Sequence, residues 1–92
     1  MTVTLLVPGA LRAEAGGEAR LTLEAAGTLA AVLDELAERR PRLERRIRDE
    51  RGELRRHVNV FIDGENCRSL GGQSAPVADG AEIQVLPSVA GG

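Results

Sequence analysis

The spacing of apolar residues changes period several times along this chain, and each change predicts a different element. Met1 to Val7 and Glu18 to Glu24 each read as a strand, the second with Leu21 and Leu23 alternating against Arg20, Thr22 and Glu24. Gly9, Gly16 and Gly17 punctuate the stretch between them, which predicts an antiparallel hairpin with a loose connection. From Thr28 the period lengthens: Leu29, Val32, Leu33, Leu36 and Ala37 fall on one face of an amphipathic helix from about Leu29 to Arg40. Thr28 is its expected N-cap, Arg39 and Arg40 suit the negative end of the helix dipole, and Pro41 blocks continuation.

Residues 42–56 are highly charged, with Leu43, Ile47 and Leu54 as the large apolar anchors, so a short helical turn and then a mobile loop around Gly52 are expected. The mixed Arg and Glu there read as a solvated face; binding of an acidic partner by the arginines is the alternative. Val58, Val60 and Ile62 alternate with Asn59 and Phe61 in the clearest strand, followed by the turn signal Asp63-Gly64 and a short return strand that includes Cys67. Beyond the loop at Gly71-Gly72 and the turn Ala78-Asp79-Gly80, Ile83 and Val85 define a last strand that Pro87 ends. Ser88 to Gly92 carry nothing to pack into a core.

The order hairpin, helix, strand, short strand, strand, tail is that of an α+β, β-grasp (ubiquitin-like) fold. The expected architecture is a mixed four- to five-stranded sheet, one main helix across one face and a flexible C-terminal tail. Residues 1–87 form the domain and residues 88–92 the tail.

With 92 residues the chain has room for one core, and with Phe61 as its one aromatic residue that core is aliphatic. A net charge of −2 and the lack of interleaved bases and aromatics argue against nucleic acid. No apolar run is long enough to span a membrane. A single cysteine cannot form an internal disulfide, which fits the cytoplasm. Ala13-Glu14-Ala15 imitates a signal-peptidase site, but no base precedes it and Pro8-Gly9 interrupts the apolar stretch. Cys67 lacks a neighbouring base and reads as a packed residue, and His57 lacks a second ligand at metal spacing and reads as the start of a strand.

Diglycine occurs at Gly16-Gly17, Gly71-Gly72 and Gly91-Gly92, and position separates them. The first two sit at expected turns, whereas the third follows the terminal strand. Without a β-carbon such a tail can enter a narrow channel and bring a carboxyl close to a nucleotide phosphate; a frayed end is the plainer alternative.

The segment Val58-Asn59-Val60-Phe61-Ile62, Asp63-Gly64-Glu65, Val77-Ala78-Asp79-Gly80, Glu82 to Pro87 and the ending Val89-Ala90-Gly91-Gly92 resembles the MoaD/ThiS family of ubiquitin-like sulfur carriers, closest to the cysteine-biosynthesis carriers of actinobacteria. The resemblance covers essentially the whole chain and is most specific in the last strand and tail. It implies a protein co-substrate rather than an enzyme, with the Gly92 carboxyl adenylated and then converted to a thiocarboxylate, and Gly91 giving access. The partners it implies are a MoeB/ThiF-type adenylating sulfurtransferase and a sulfur-accepting biosynthetic enzyme, such as a PLP-dependent (pyridoxal-phosphate) cysteine synthase with a metallopeptidase. No cofactor or metal is expected on the chain, since ATP, zinc and PLP belong to those partners.

Strand alternation puts Phe61 opposite the helix face, where it is either exposed for a partner or covered by a neighbouring loop. Phe61, Leu86, Pro87, Val89 and Ala90 are the expected partner-binding residues. The competing functions are a ubiquitin-like modifier or binding module, the small subunit of a molybdopterin synthase, and a sulfur donor for thiamine or a sulfur-containing natural product. An iron–sulfur ferredoxin is excluded, because its cluster needs four cysteines.

Overall fold

The computed structural model describes residues 1–25 and 27–87. Its strands are β1 (Val3–Leu6), β2 (Arg20–Leu23), β3 (Gly27–Thr28), β4 (Val58–Ile62), β5 (Glu65–Asn66), β6 (Pro76–Val77) and β7 (Glu82–Pro87), and its α-helices are α1 (Leu29–Arg39) and α2 (Pro41–Ile47). Five strands form one mixed sheet in the order β2-β1-β7-β4-β5. β1 runs antiparallel to β2 and parallel to β7, and β7 runs antiparallel to β4. The β-grasp expectation is met, with β7 in the middle of the sheet.

Alternation decides which side of each strand is buried. Val3 and Leu5 of β1, Val58, Val60 and Ile62 of β4, and Ile83 and Val85 of β7 all face the core. Leu29, Val32, Leu33 and Leu36 of α1, spaced at three and four residues, cover that face and are fully buried. The Thr28 hydroxyl accepts a hydrogen bond from the Ala31 amide at 3.2 Å, which makes it the expected N-cap. The helix stops at Arg39, one residue earlier than expected, because Pro41 opens α2 as its first residue.

Several expectations are corrected. Both hairpin strands are shorter than expected, and their connection is not loose: Gly9–Ala15 forms a 3-10 helix that buries Leu11 and Ala15. With only Leu11 and Ala15 turned inward, the stretch shows no apolar period to set against the punctuating Gly9, Gly16 and Gly17. β3 and β6 form a separate two-stranded sheet that the apolar pattern does not reveal, pairing Gly27 with Val77 and Thr28 with Pro76. Cys67 is not in the return strand; it starts a 3-10 helix over Cys67–Leu70, capped by the Asn66 side chain.

The charged stretch differs most. α2 buries Leu43 and Ile47 against the core, and Leu54 is half-buried. The segment around Gly52 is an ordered turn, since Asp49 Oδ1 accepts from the amides of Arg51 and Glu53 at 2.9 and 3.0 Å. Those amide bonds, that from Glu53 above all, hold the Asp49 carboxyl below its ordinary pKa. Nor is the stretch uniformly solvated. Arg48 is only 7% exposed and binds Glu44 at 2.6 Å, Asp34 at 3.0 Å and Gln73 at 3.0 Å, tying α2 to α1 and to the 72–74 turn.

Candidate functional site

The site is built outward from β7, whose last described residue, Pro87, carries the five residues that end in Gly91-Gly92. β7 pairs with β1 at residues 82–84 and with β4 at residues 83–87, down to Asn59 opposite Leu86 and Val58 opposite Pro87. The root of the tail is thus fixed by the first two residues of β4.

Arg68 secures that start of β4. Its guanidinium donates to the carbonyls of Val58 at 3.0 Å and Arg55 at 3.1 Å, and to Asn59 Oδ1 at 3.3 Å. The Asp63-Gly64 turn closes the far end with positive φ at both residues, 50° and 88°, as a tight hairpin turn between right-twisted strands requires. Asp63 Oδ1 then accepts from the Glu82 amide at 2.9 Å and locks β4 to β7.

The solvent face of the sheet carries Phe61 opposite Gln84 and Leu86 one rung toward the tail, so these two predicted partner-binding residues share a face. Phe61 is half-buried, between the two alternatives that alternation leaves open, while Leu86 is 40% exposed. Leu6 also pairs with Gln84 and extends the apolar row onto β1. A shallow groove of about 290 Å³ runs beside it, lined by Leu6, Arg12, Arg20 and Leu86 among others. Leu6 and Arg20 were legible as the outward positions of their strands but lacked a motif to single them out. Pro87 is half-buried, and the remaining predicted residues Val89, Ala90, Gly91 and Gly92 lie outside the described residues.

Cys67 is fully buried, and burial, its largest influence, pushes the thiol pKa up against the opposing charge of Arg68. A thiol held protonated and out of solvent is a poor nucleophile, as its packed reading requires. His57 is exposed in the turn that leads into β4. Among the described residues no group of three His, Cys, Asp or Glu side chains is placed to hold a metal, and no helix is long and apolar enough to cross a membrane.

The sheet order and the helix across it place the domain in the ubiquitin-like β-grasp class, with its central strand β7 running directly into the last five residues. The sequence pattern of the ThiS family matches residues 5–92, and the chain belongs to that family. The sulfur carrier protein CysO of Mycobacterium tuberculosis is 37% identical over 95 aligned residues that take in 100% of both chains. Among solved structures, the Amycolatopsis orientalis BexX/CysO complex matches with a TM-score of 0.88 at 36% identity, covering 98% of this chain and 99% of the other. The small archaeal modifier protein 1 of Methanosarcina acetivorans matches with a TM-score of 0.82 at 33% identity, covering 99% and 96%.

Proposed function

We propose that this chain is a sulfur carrier, a protein co-substrate rather than an enzyme, which bears its cargo on the carboxyl of Gly92. The observation that carries this reading is the full-length likeness to a sulfur carrier, joined to a diglycine four and five positions beyond the central strand of the sheet. Interaction with a partner enzyme is part of that function.

A carboxylate resists nucleophiles, because its charge repels them and oxide is a poor leaving group. In the proposed cycle a MoeB/ThiF-type enzyme joins the Gly92 carboxyl to AMP from ATP, releasing pyrophosphate. Sulfide then displaces AMP and leaves a thiocarboxylate; a persulfide displaces AMP through its terminal sulfur to give an acyl disulfide, which a second thiol cleaves, releasing the thiocarboxylate and leaving the two thiols joined as a disulfide. Gly91 and Gly92 carry no side chain to obstruct that approach. Phe61, Leu86 and Pro87, with Val89 and Ala90, form the docking surface. ATP, zinc and PLP are assigned to partners, none to this chain.

Cysteine formation is the favoured destination, since the curated full-length relatives at this identity are CysO proteins. There the thiocarboxylate sulfur adds to an aminoacrylate on a PLP-dependent enzyme, an acyl shift follows, and a metallopeptidase releases cysteine. Protein modification through Gly92 is the second reading, favoured by the likeness to the archaeal modifier.

Incubation with the adenylating enzyme, ATP and a sulfide source is expected to raise the intact mass by the difference between a sulfur and an oxygen atom. Gly92→Val should abolish that gain. Loading that persists in Gly92→Val, or high-mass amide conjugates with no thiocarboxylate, would overturn the sulfur-carrier reading.

A further inference from the structure

A cationic groove of about 810 Å³ lies on the other side of the tail root, lined by Arg42, Arg45, Arg46, Arg55, His57 and Pro87. α2 creates it. Leu43 and Ile47 turn inward, so Arg42, Arg45 and Arg46, at i, i+3 and i+4, share the outward face. Arg55 is brought beside them by its Nε bond to the Arg45 carbonyl at 2.8 Å.

Glu14 is the one acidic residue of the lining, and it faces Arg46 at 3.6 Å. Among the described residues the side chains of Arg42 and Arg45 make no ion pair or hydrogen bond, and both are exposed. Like charges at these spacings oppose helix formation, so the fold gains nothing from concentrating them. The chain as a whole is acidic, with net charge −2, which makes the groove a local inversion of sign.

We propose that this groove receives an acidic surface segment of the enzyme that activates Gly92. The inference rests on the carrier reading and adds to it the face and charge by which the partner docks. Gly92 is the fifth residue beyond Pro87, a reach of at most about 18 Å. An enzyme that takes Gly92 into a recessed centre must bring its rim close to Pro87, and Pro87 is a wall of the groove. A rim of Asp and Glu there complements four guanidiniums, steers the encounter and fixes its orientation.

The test has two arms. In the first, the isotope-labelled full chain is titrated with hexaglutamate peptide. Resonances of Arg42, Arg45, Arg46 and Arg55 are expected to move, and Arg45→Glu should abolish the response while Arg51→Glu, with the same charge change away from the groove, retains it. In the second, Arg45→Glu raises the KM for this chain in adenylation about tenfold, with kcat within about twofold, and Arg51→Glu leaves both unchanged.

Equal effects of the two variants on KM, or none, overturn the proposal. So do binding of inorganic phosphate at the same resonances and concentration as the peptide, contacts from residues 88–92 to the groove in the free chain, and concentration-dependent self-association through it. Failure of the wild-type chain to be adenylated at all removes the carrier reading instead, and the peptide arm still decides whether the groove accepts an acidic segment.

Discussion

Replacing Arg48 with Met tests whether the charged stretch is held together by one buried guanidinium. Met keeps an apolar stem of similar reach and deletes the three hydrogen-bonded contacts to Glu44, Asp34 and Gln73. Glu44 is the expensive loss, because its side chain is 12% exposed and would be left beside a thioether without its guanidinium partner. Asp34 adds little, since its side chain is 72% exposed and water screens that pair. Breaking a buried pair from one side costs about 3 kcal/mol at the lower end of the usual range. That is a large share of a domain stability on the order of 10 kcal/mol. For a chain of this size it corresponds to a fall in Tm on the order of 15 °C. Urea denaturation followed by far-ultraviolet circular dichroism reads the loss. Adding Glu44→Leu removes the orphaned carboxylate, and the double variant should recover to within about 1 kcal/mol of the parent. A single variant that costs less than about 1 kcal/mol, or a double variant no better than the single, would refute the reasoning.

Phe61→Ala combined with Leu86→Ser should weaken binding of the activating enzyme about tenfold while shifting stability by less than about 2 kcal/mol, measured by titration calorimetry and urea melts. Unchanged affinity would remove the sheet face from the docking surface. Cys67→Ala should lose about 1 kcal/mol by leaving a small void, yet load sulfur at the parent rate. In the parent, the thiol should react with an aromatic disulfide reagent only as fast as the fold opens. Loss of loading in the Ala variant would contradict its purely packed role.

Periodicity made the main sheet and α1 readable, because their buried faces repeat at two or at three to four residues over long enough runs. Leu29, Val32, Leu33 and Leu36, and Val58, Val60 and Ile62, are such runs, and all are buried. The two-residue strands β3 and β6 span a single strand period and so show no repeat, and pairing between Gly27 and Val77 had to come from tertiary structure. α2 offers only Leu43 and Ile47 among seven residues, too few to separate a docked helix from a solvated turn. Arg48 was hidden for another reason: its burial depends on acceptors at positions 34 and 73, far along the chain. Of the candidate site, the outward placement of Phe61 and Leu86 on one face of the sheet followed from alternation. The cationic groove did not, because Arg55 joins Arg42, Arg45 and Arg46 only after the chain has turned at Gly52.

The fixed point from which the tail is measured is a property of the sheet, not of the diglycine. At Ile83 and Gln84 β7 has partners on both sides, whereas Leu86 and Pro87 pair with β4 alone, at its first two residues. Pro87 has no N–H to offer the ladder, so it suits a strand's end. The opposing residue, Val58, is held by its own carbonyl bond to Arg68, which also grips the Arg55 carbonyl. One guanidinium therefore steadies both the rung that anchors the tail root and the residue that completes the cationic groove. Displacing this anchor by one residue changes the available reach by about 3.4 Å, which is enough to misplace a reacting carboxyl. In the sulfur-carrier reading proposed above, placement of Gly92 therefore rests on contacts within the sheet as well as on the diglycine.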